Sequence, residues 1–441
     1  MTDHHKPHGA ELLKEAQEHM PLGVADSYRY WGQEDTVFVK SVKGCTLTDC
    51  DGQEFVDFRL AYGPIILGYR DRRVDEAVIK CITESGTISG FSSELDAQVI
   101  SLVKSLCPHI EKMRFANSGT EAVIGAVRTA RGFTGKNKVV IVEGGFHGLY
   151  DEMMWKSDVD NWNPQTQAAP EVIPFGAGIP EASREHIEIV PLNSFEAIDE
   201  VFERVGDDIA AIVIEPIMGN CGSISSTKEY MQKLRDVCDQ FGALLIMDEV
   251  KTGFRVAKGG VAELYGINSD LTTYAKAIGN GYPVAAFGGR ADVMNQIRFD
   301  KTGVTHGGTY TANLIGLTAA KATLTILKET DALETVNRVG GEIRELLSRV
   351  FTKFGIEHRF SGPDAMFGIH FGNEVPQNYR DWKKTDSALY VRFAHNLIKN
   401  GVMLEPDSRE PWFICEAHKD IDLEWLEKVA VQSMEDAINA D

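Results

Sequence analysis

Residues 241–255 read FGALLIMDEVKTGFR. The stretch from Ala243 to Met247 is an unbroken apolar run, the signal of a strand buried on both faces of a parallel sheet, and it stops at Asp248-Glu249. Two further runs share this design: KVVIVEGG from Lys138 and IAAIVIEP from Ile209. Enough chain separates each run from the next for a helical crossover, the pattern of an α/β fold with a mostly parallel central sheet. In open sheets of this kind the ligand lies beyond the carboxyl ends of the strands. The residues that close each run are therefore the first candidates for a site.

Outward from these runs the pattern changes. Ala10 to His19 reads as a helix, and in CTLTDCDGQEFVDF two short strand-like runs flank Asp51-Gly52, a strong hairpin signal. Leu95, Val99, Leu102 and Leu106 recur at helical spacing. Beyond residue 315 a helix-like stretch leads to short strands (MFGIHF, GVMLEP, WFICEAH) and a last helix from Leu423. The expected organisation is a large central domain over residues 66–320. A smaller α+β domain is expected from both chain ends, 1–65 and 321–441.

The chain has 441 residues, with 45 Lys+Arg against 65 Asp+Glu, a net charge of −20. That balance argues against an electrostatic nucleic-acid binder or adsorption to an anionic membrane. Apolar residues make up 43% and charged residues 25%, as in ordinary globular proteins. Seven cysteines with no CxxC and no apolar leader point to reduced thiols and a cytoplasmic location. No apolar run is long enough to span a membrane. His4, His5 and His8 read as a polar tail rather than a metal site, and no metal is expected.

The chemistry concentrates at the strand ends. Asn117-Ser118-Gly119-Thr120 precedes a helical stripe of Val123, Ala126, Val127 and Ala130. Such a turn offers free N–H groups, two hydroxyls and the positive end of the helix dipole, a cradle for phosphate. Phe146-His147 follows the Lys138 run and can stack on a planar ring. Asp248 closes its apolar strand, where a lone carboxylate is costly without a partner; a protonated ring nitrogen is one. Lys276 lies between apolar neighbours ahead of Gly279, Gly281 and Pro283. A desolvated lysine has a depressed pKa and forms a Schiff base with an aldehyde. Each feature alone fits an ordinary cap, core ring, loop carboxylate or surface lysine. Together they make a binding set for pyridoxal 5'-phosphate (PLP). A dinucleotide-binding fold would instead need G-x-G-x-x-G after an early strand, and Gly279-Asn-Gly281 comes too late.

FANSGTEA, GGFHG, IEPIMGN, FGALLIMDEVKTGFR, YAKAIGNGYPVAAFGG and GGTYTAN resemble the motifs of the class III aminotransferases, fold type I PLP-dependent enzymes. The likeness runs from Leu12 to Ile438 and is strongest to the glutamate-1-semialdehyde 2,1-aminomutase subgroup. It implies Lys276 as the Schiff-base and proton-shuttling lysine and Asp248 as the partner of the pyridine nitrogen. Ser118, Gly119 and Thr120 become phosphate ligands, and Phe146, with His147 beside it, stacks on the ring. Asn220 touches the ring hydroxyl and Val250 packs on the other face. Thr309 reaches the phosphate of a neighbouring subunit, which implies a homodimer with shared sites. For substrate, the resemblance implies Arg29 as a carboxylate clamp, Tyr62 as a pocket wall and Glu410 facing the site.

Two departures bear on the reaction. The aminomutase pattern GTLSGNP stands here as Gly308-Thr-Tyr-Thr-Ala-Asn-Leu, and the loop Pro174–Arg184 differs from the gating loop of that subgroup. A mutase must retain its intermediate, whereas a transaminase releases a keto product. The expectation is therefore an aminotransferase moving an amino group, with L-glutamate as donor, to a small carbonyl acceptor. Overall likeness suggests a keto or aldehyde sugar acid, 3,8-dideoxy-8-oxo-manno-octulosonate, serving lipopolysaccharide biosynthesis. Aminomutase activity is the alternative, and other PLP chemistry or a non-catalytic PLP-binding relative stands further off.

Overall fold

The computed structural model describes residues 7–167 and 169–440. His4 and His5 lie outside them. His8 sits at the start of the helix Pro7–Gln17, where Asp51 accepts the N–H groups of His8 and Gly9 at 3.0 and 3.1 Å. Asp51 thus caps one element from the turn of another. That turn closes the expected hairpin, Thr46–Asp49 against Glu54–Asp57, with Gly52 at φ 88°.

The centre is a seven-stranded sheet. Its order is Lys112–Ala116, Ala285–Gly289, Leu271–Tyr274, Leu244–Asp248, Ile209–Ile214, Lys138–Val142 and Ile187–Val190. Ala285–Gly289 alone runs against its neighbours; the others are parallel. The three apolar runs of the sequence lie side by side in the middle, where both faces are covered. The reversed strand, AAFGG, carries almost no strand signal of its own. Its glycines are explained by close approach: a Cβ on Gly289 would lie 1.9 Å from the Asp270 carbonyl oxygen. The helix Gly119–Thr134 buries Ala122, Val123, Ala126, Val127 and Ala130 against one face of the sheet. Gly125 of this helix leaves room for the Phe287 ring.

Chain ends meet on a second sheet. Val402–Met403 pairs in parallel with Glu54–Asp57, extending the hairpin and the strand Val39–Lys43 to four strands. A third sheet joins His358–Ser361, Met366–Phe371 and Trp412–Phe413. The helices Leu314–Glu329, Ala332–Lys353, Ser387–Lys399 and Leu423–Asn439 share one apolar core with Phe58, Phe367 and Trp412. We propose the division 1–65, 66–320 and 321–441 on this pairing of the two ends. Among the described residues no helix is long and apolar enough to cross a membrane, and all seven cysteines are free.

Arg255 ties these parts together. It is wholly buried, and its guanidinium donates to the carbonyls of Gly63 and Ile65 (2.7 and 3.1 Å) and of Ala365 and Ile414 (3.2 and 2.6 Å). Burial lowers its pKa to about 10. Among the described residues no carboxylate pairs with it; the four carbonyl dipoles and the Phe413 ring, 5.3 Å away, stand in for water at the Nη atoms, while buried Nε has no partner. Arg255→Met should leave several of these carbonyls unsatisfied and cost roughly 3–5 kcal/mol. Urea unfolding of the two proteins checks this, and a loss below about 1 kcal/mol would remove Arg255 from this role.

Candidate active site

The carboxyl ends of the parallel strands converge. Asp248 ends its strand nearly fully buried, at 3% exposure. One oxygen accepts from Thr273 Oγ1 (2.9 Å) and from the Val250 N–H (3.1 Å); the other meets His147 Nδ1 at 2.8 Å. Burial disfavours the imidazolium form of His147, but the hydrogen bond and charge of Asp248, with Glu215 behind, outweigh it and raise its pKa. Glu215, at the end of the Ile209–Ile214 strand, accepts from the Phe146 N–H (2.9 Å) and the Gly219 N–H (3.0 Å). Burial pushes the Glu215 carboxyl upward. The adjacent Glu249 turns to the loop beyond the strand, where it accepts from the Val261 N–H at 2.8 Å.

Ser118 caps the helix Gly119–Thr134. Its Oγ takes the Glu121 N–H (3.2 Å) and its carbonyl the Ala122 N–H (3.1 Å). Of the helix's first free donors this leaves the N–H groups of Gly119 and Thr120 for a ligand. Gly148, at φ 98°, lets the loop after Phe146 lie against this helix start; a Cβ there would be 2.6 Å from Thr120 Oγ1. Val250 packs at the same place, 3.1 Å from where a Cβ on Gly119 would be.

Lys276 follows the strand Leu271–Tyr274 with φ 53°, a left-handed conformation costly for a side-chain-bearing residue. Its amine makes no hydrogen bond or ion pair among the described residues. Desolvation, then the charge of Lys251, lowers its pKa to about 7 against the pull of Glu410, Glu215 and Asp248. Lys251 is itself nearly buried, bonding the Gly219 carbonyl (2.6 Å), Asn220 Oδ1 (2.9 Å) and Glu410 (2.8 Å).

Ser118, Gly119, Thr120, Phe146, His147, Asn220, Asp248, Val250, Lys276 and Glu410 thus belong to one cleft network. Tyr62 reaches it indirectly: its hydroxyl donates to the Tyr28 carbonyl (2.9 Å), and the Tyr28 ring stands edge-on to Phe146 at 6.2 Å. Arg29 is not gathered in. Its side chain is 64% exposed and paired with Asp26 at 2.6 Å. Thr309 is exposed and joins none of these contacts. Sequence pattern alone does not single out Glu215, Lys251 or Thr273. Glu215 shares its one signal, a carboxylate closing an apolar strand, with Asp248. The others are defined by partners far along the chain.

The profile of the aminotransferase class-III family matches residues 28–429. Glutamate-1-semialdehyde 2,1-aminomutase of Persephonella marina is 36% identical over 416 residues, 94% of this chain and 95% of its own length. Glutamate-1-semialdehyde 2,1-aminomutase 2 of Bacillus pumilus is 37% identical over 417 residues, covering 94% and 95%. Among solved structures, an omega-transaminase from Sphaerobacter thermophilus superposes with a TM-score of 0.90 at 27% identity, covering 98% of both chains. A β-phenylalanine aminotransferase from Variovorax paradoxus gives 0.83 at 27%, covering 97% of this chain and 94% of its own. The chain belongs to the class III aminotransferases, PLP-dependent enzymes of fold type I.

The residues present fit that cofactor. The free amine of Lys276 suits its aldehyde and the open N–H groups at Gly119 and Thr120 suit its phosphate. His147 Nε2 is buried without a partner among the described residues, beside Gly145. Because the Lys276 amine is neutral above about pH 7, PLP capture by the cofactor-free protein should speed up through that pH and level off above it. Stopped-flow absorbance checks the profile; a rise only near pH 10, as for an ordinary lysine, would contradict it. Lys276→Ala should hold PLP without the covalent absorbance signature and lose turnover.

Proposed function

We propose that this enzyme moves an amino group from an amino-acid donor, L-glutamate first, to a carbonyl acceptor, with Lys276 and Asp248 as the catalytic pair. The carrying observation is the unpaired Lys276 amine, lowered to about pH 7 in a cleft walled by buried acids. When bound, PLP supplies an aldehyde that takes the amino group and a ring that accepts electrons. Lys276 then takes a proton from the donor's α-carbon and returns one to the neighbouring carbon, a task suited to a base near neutrality. Burial first, and then the charge of Lys251, keep Lys276 from holding its proton, and Glu410 pairs with Lys251. Asp248 would hold the proton of the pyridine nitrogen. Thr273, the Val250 N–H and His147 fix its carboxylate so that it needs no reorganisation during the reaction.

The roles proposed for the remaining residues rest on the family resemblance, and the placement supports those in the cleft. Ser118, Gly119 and Thr120 would bind the phosphate, Phe146 and Val250 would flank the ring, and Asn220, whose Oδ1 meets Lys251, would meet its hydroxyl. Thr309, exposed beside an exposed Tyr310, serves a partner subunit's site in a homodimer. The free cysteines suit the cytoplasm. The sugar-acid acceptor and its tie to lipopolysaccharide find no counterpart among the relatives named above. Aminomutase activity is the second reading, favoured by the 36% and 37% identities.

Adding L-glutamate to the PLP-loaded enzyme should convert the visible cofactor band to the amino form and release 2-oxoglutarate. No change with glutamate, together with turnover of glutamate-1-semialdehyde, would select the aminomutase. Asp248→Asn should lower kcat on the order of 100-fold or more while retaining cofactor; unchanged kcat would move the nitrogen contact elsewhere.

A further inference from the structure

Beside the cleft stands a second charged unit that the reaction above does not use. Arg59 Nε donates to Glu405 at 2.9 Å, and Arg59 Nη2 donates to the Tyr28 carbonyl at 3.1 Å and to the Tyr62 hydroxyl. Glu405, 3.0 Å from the Tyr62 hydroxyl, is the alternative to the Tyr28 carbonyl as acceptor of its single proton. The guanidinium lies between two rings, 4.8 Å from Trp31 and 4.2 Å from Tyr62. Arg59 and Glu405 keep 20% and 13% of their side chains exposed, so a small molecule can reach them. Arg59 Nη1 has no acceptor among the described residues and is not sealed from solvent.

Strain in the backbone aims this unit. Leu60, Ala61 and Tyr62 all have left-handed φ, 44°, 54° and 67°, followed by Gly63 at 100°. Three such residues without glycine are costly and persist only where the surroundings impose them. Here Asp57 accepts the N–H groups of Arg59 and Leu60, and Arg255 grips the Gly63 carbonyl. The unit borders the cleft on two sides. The Tyr28 residue it holds is edge-on to Phe146, and Glu405 precedes by five residues the Glu410 that bonds Lys251.

We propose that Arg59 is the specificity-determining residue that binds the substrate's carboxylate through its open Nη1 edge, with Glu405 and Tyr62 holding the fork in place. This rests on the aminotransferase reading above and names its substrate class: amino and keto acids rather than simple amines. One guanidinium can serve two carboxylates, as Arg290 does here with Asp270 and Asp292, each at 2.6 Å. Arg29, expected to clamp the carboxylate, is spent on Asp26 in solvent.

The test compares wild type, Arg59→Gln, Arg59→Lys and Arg29→Gln. Half-reactions are run with L-glutamate, β-alanine and 4-aminobutanoate against ethylamine and propylamine, and calorimetry measures glutarate binding to the PLP-loaded enzyme. Arg59→Gln should raise KM for the amino acids and Kd for glutarate about 10–100-fold with kcat little changed, and leave the plain amines as they were. Arg59→Lys, keeping charge without the fork, should fall between. Equal losses on amines and amino acids, no change, or the loss appearing with Arg29→Gln instead would each overturn the assignment. If wild type converts none of the donors, the aminotransferase reading fails by itself, while the glutarate comparison still decides the clamp.

Discussion

A single buried cation organises this molecule. Arg255 lies seven residues after Asp248, at the far end of the loop that leaves the central strand. The same short stretch therefore sets the acid of the cleft and the rivet between the central sheet and both chain ends. Removing a guanidinium from water costs several kcal/mol, and here that cost is offset by carbonyls drawn from residues 63, 65, 365 and 414 and by the Phe413 ring. Those carbonyls come from segments already joined by backbone hydrogen bonds, Phe413 to Phe58 and Ile414 to Ala365, so the guanidinium locks a junction that the backbone begins. Phe413 packs on Arg255, and the missing side chain of Gly63 makes room for its ring, which would lie 2.8 Å from a Cβ there. The strained turn at residues 60–63 is thereby backed by a rigid wall, and Arg59 and Tyr62 are presented from it.

In front of that wall the cleft is built from charges that restrain one another. Asp248, His147 and Glu215 form a buried acid–imidazole–acid cluster in which the His147 ring bonds Asp248 and both acids favour its charged form. Lys251 and Glu410 form a second pair, nearer to Lys276 in effect. Lys276 is left with no partner, so burial and a like charge act on it unopposed by any direct contact. A reactive amine results from what the surrounding residues withhold as much as from what they supply.

Much of this was legible in the sequence, for a physical reason. A strand buried on both faces must be apolar along its length, so its first polar residue marks where it leaves the sheet. Asp248 and the Ser118 cap announce themselves in that way, and Lys276 does so by its apolar flanks. The hairpin at Asp51-Gly52 and the helix Glu94–Leu106 are equally local. The reversed strand Ala285–Gly289 was not legible, because AAFGG is a strand only where two neighbours need a backbone without side chains.

The sequence by itself determined the three central strands of the sheet and the family, since each rests on residues close together in the chain. Tertiary structure alone decided which charges meet. Arg59 and Glu405 are separated by 346 residues, and Lys251 and Glu410 by 159. Arg29, attractive in sequence, turns to solvent, while Arg59, unremarkable there, is held between two rings at the cleft. A side chain's partner across such distances depends on how layers pack and where strain is backed, and no local pattern encodes that.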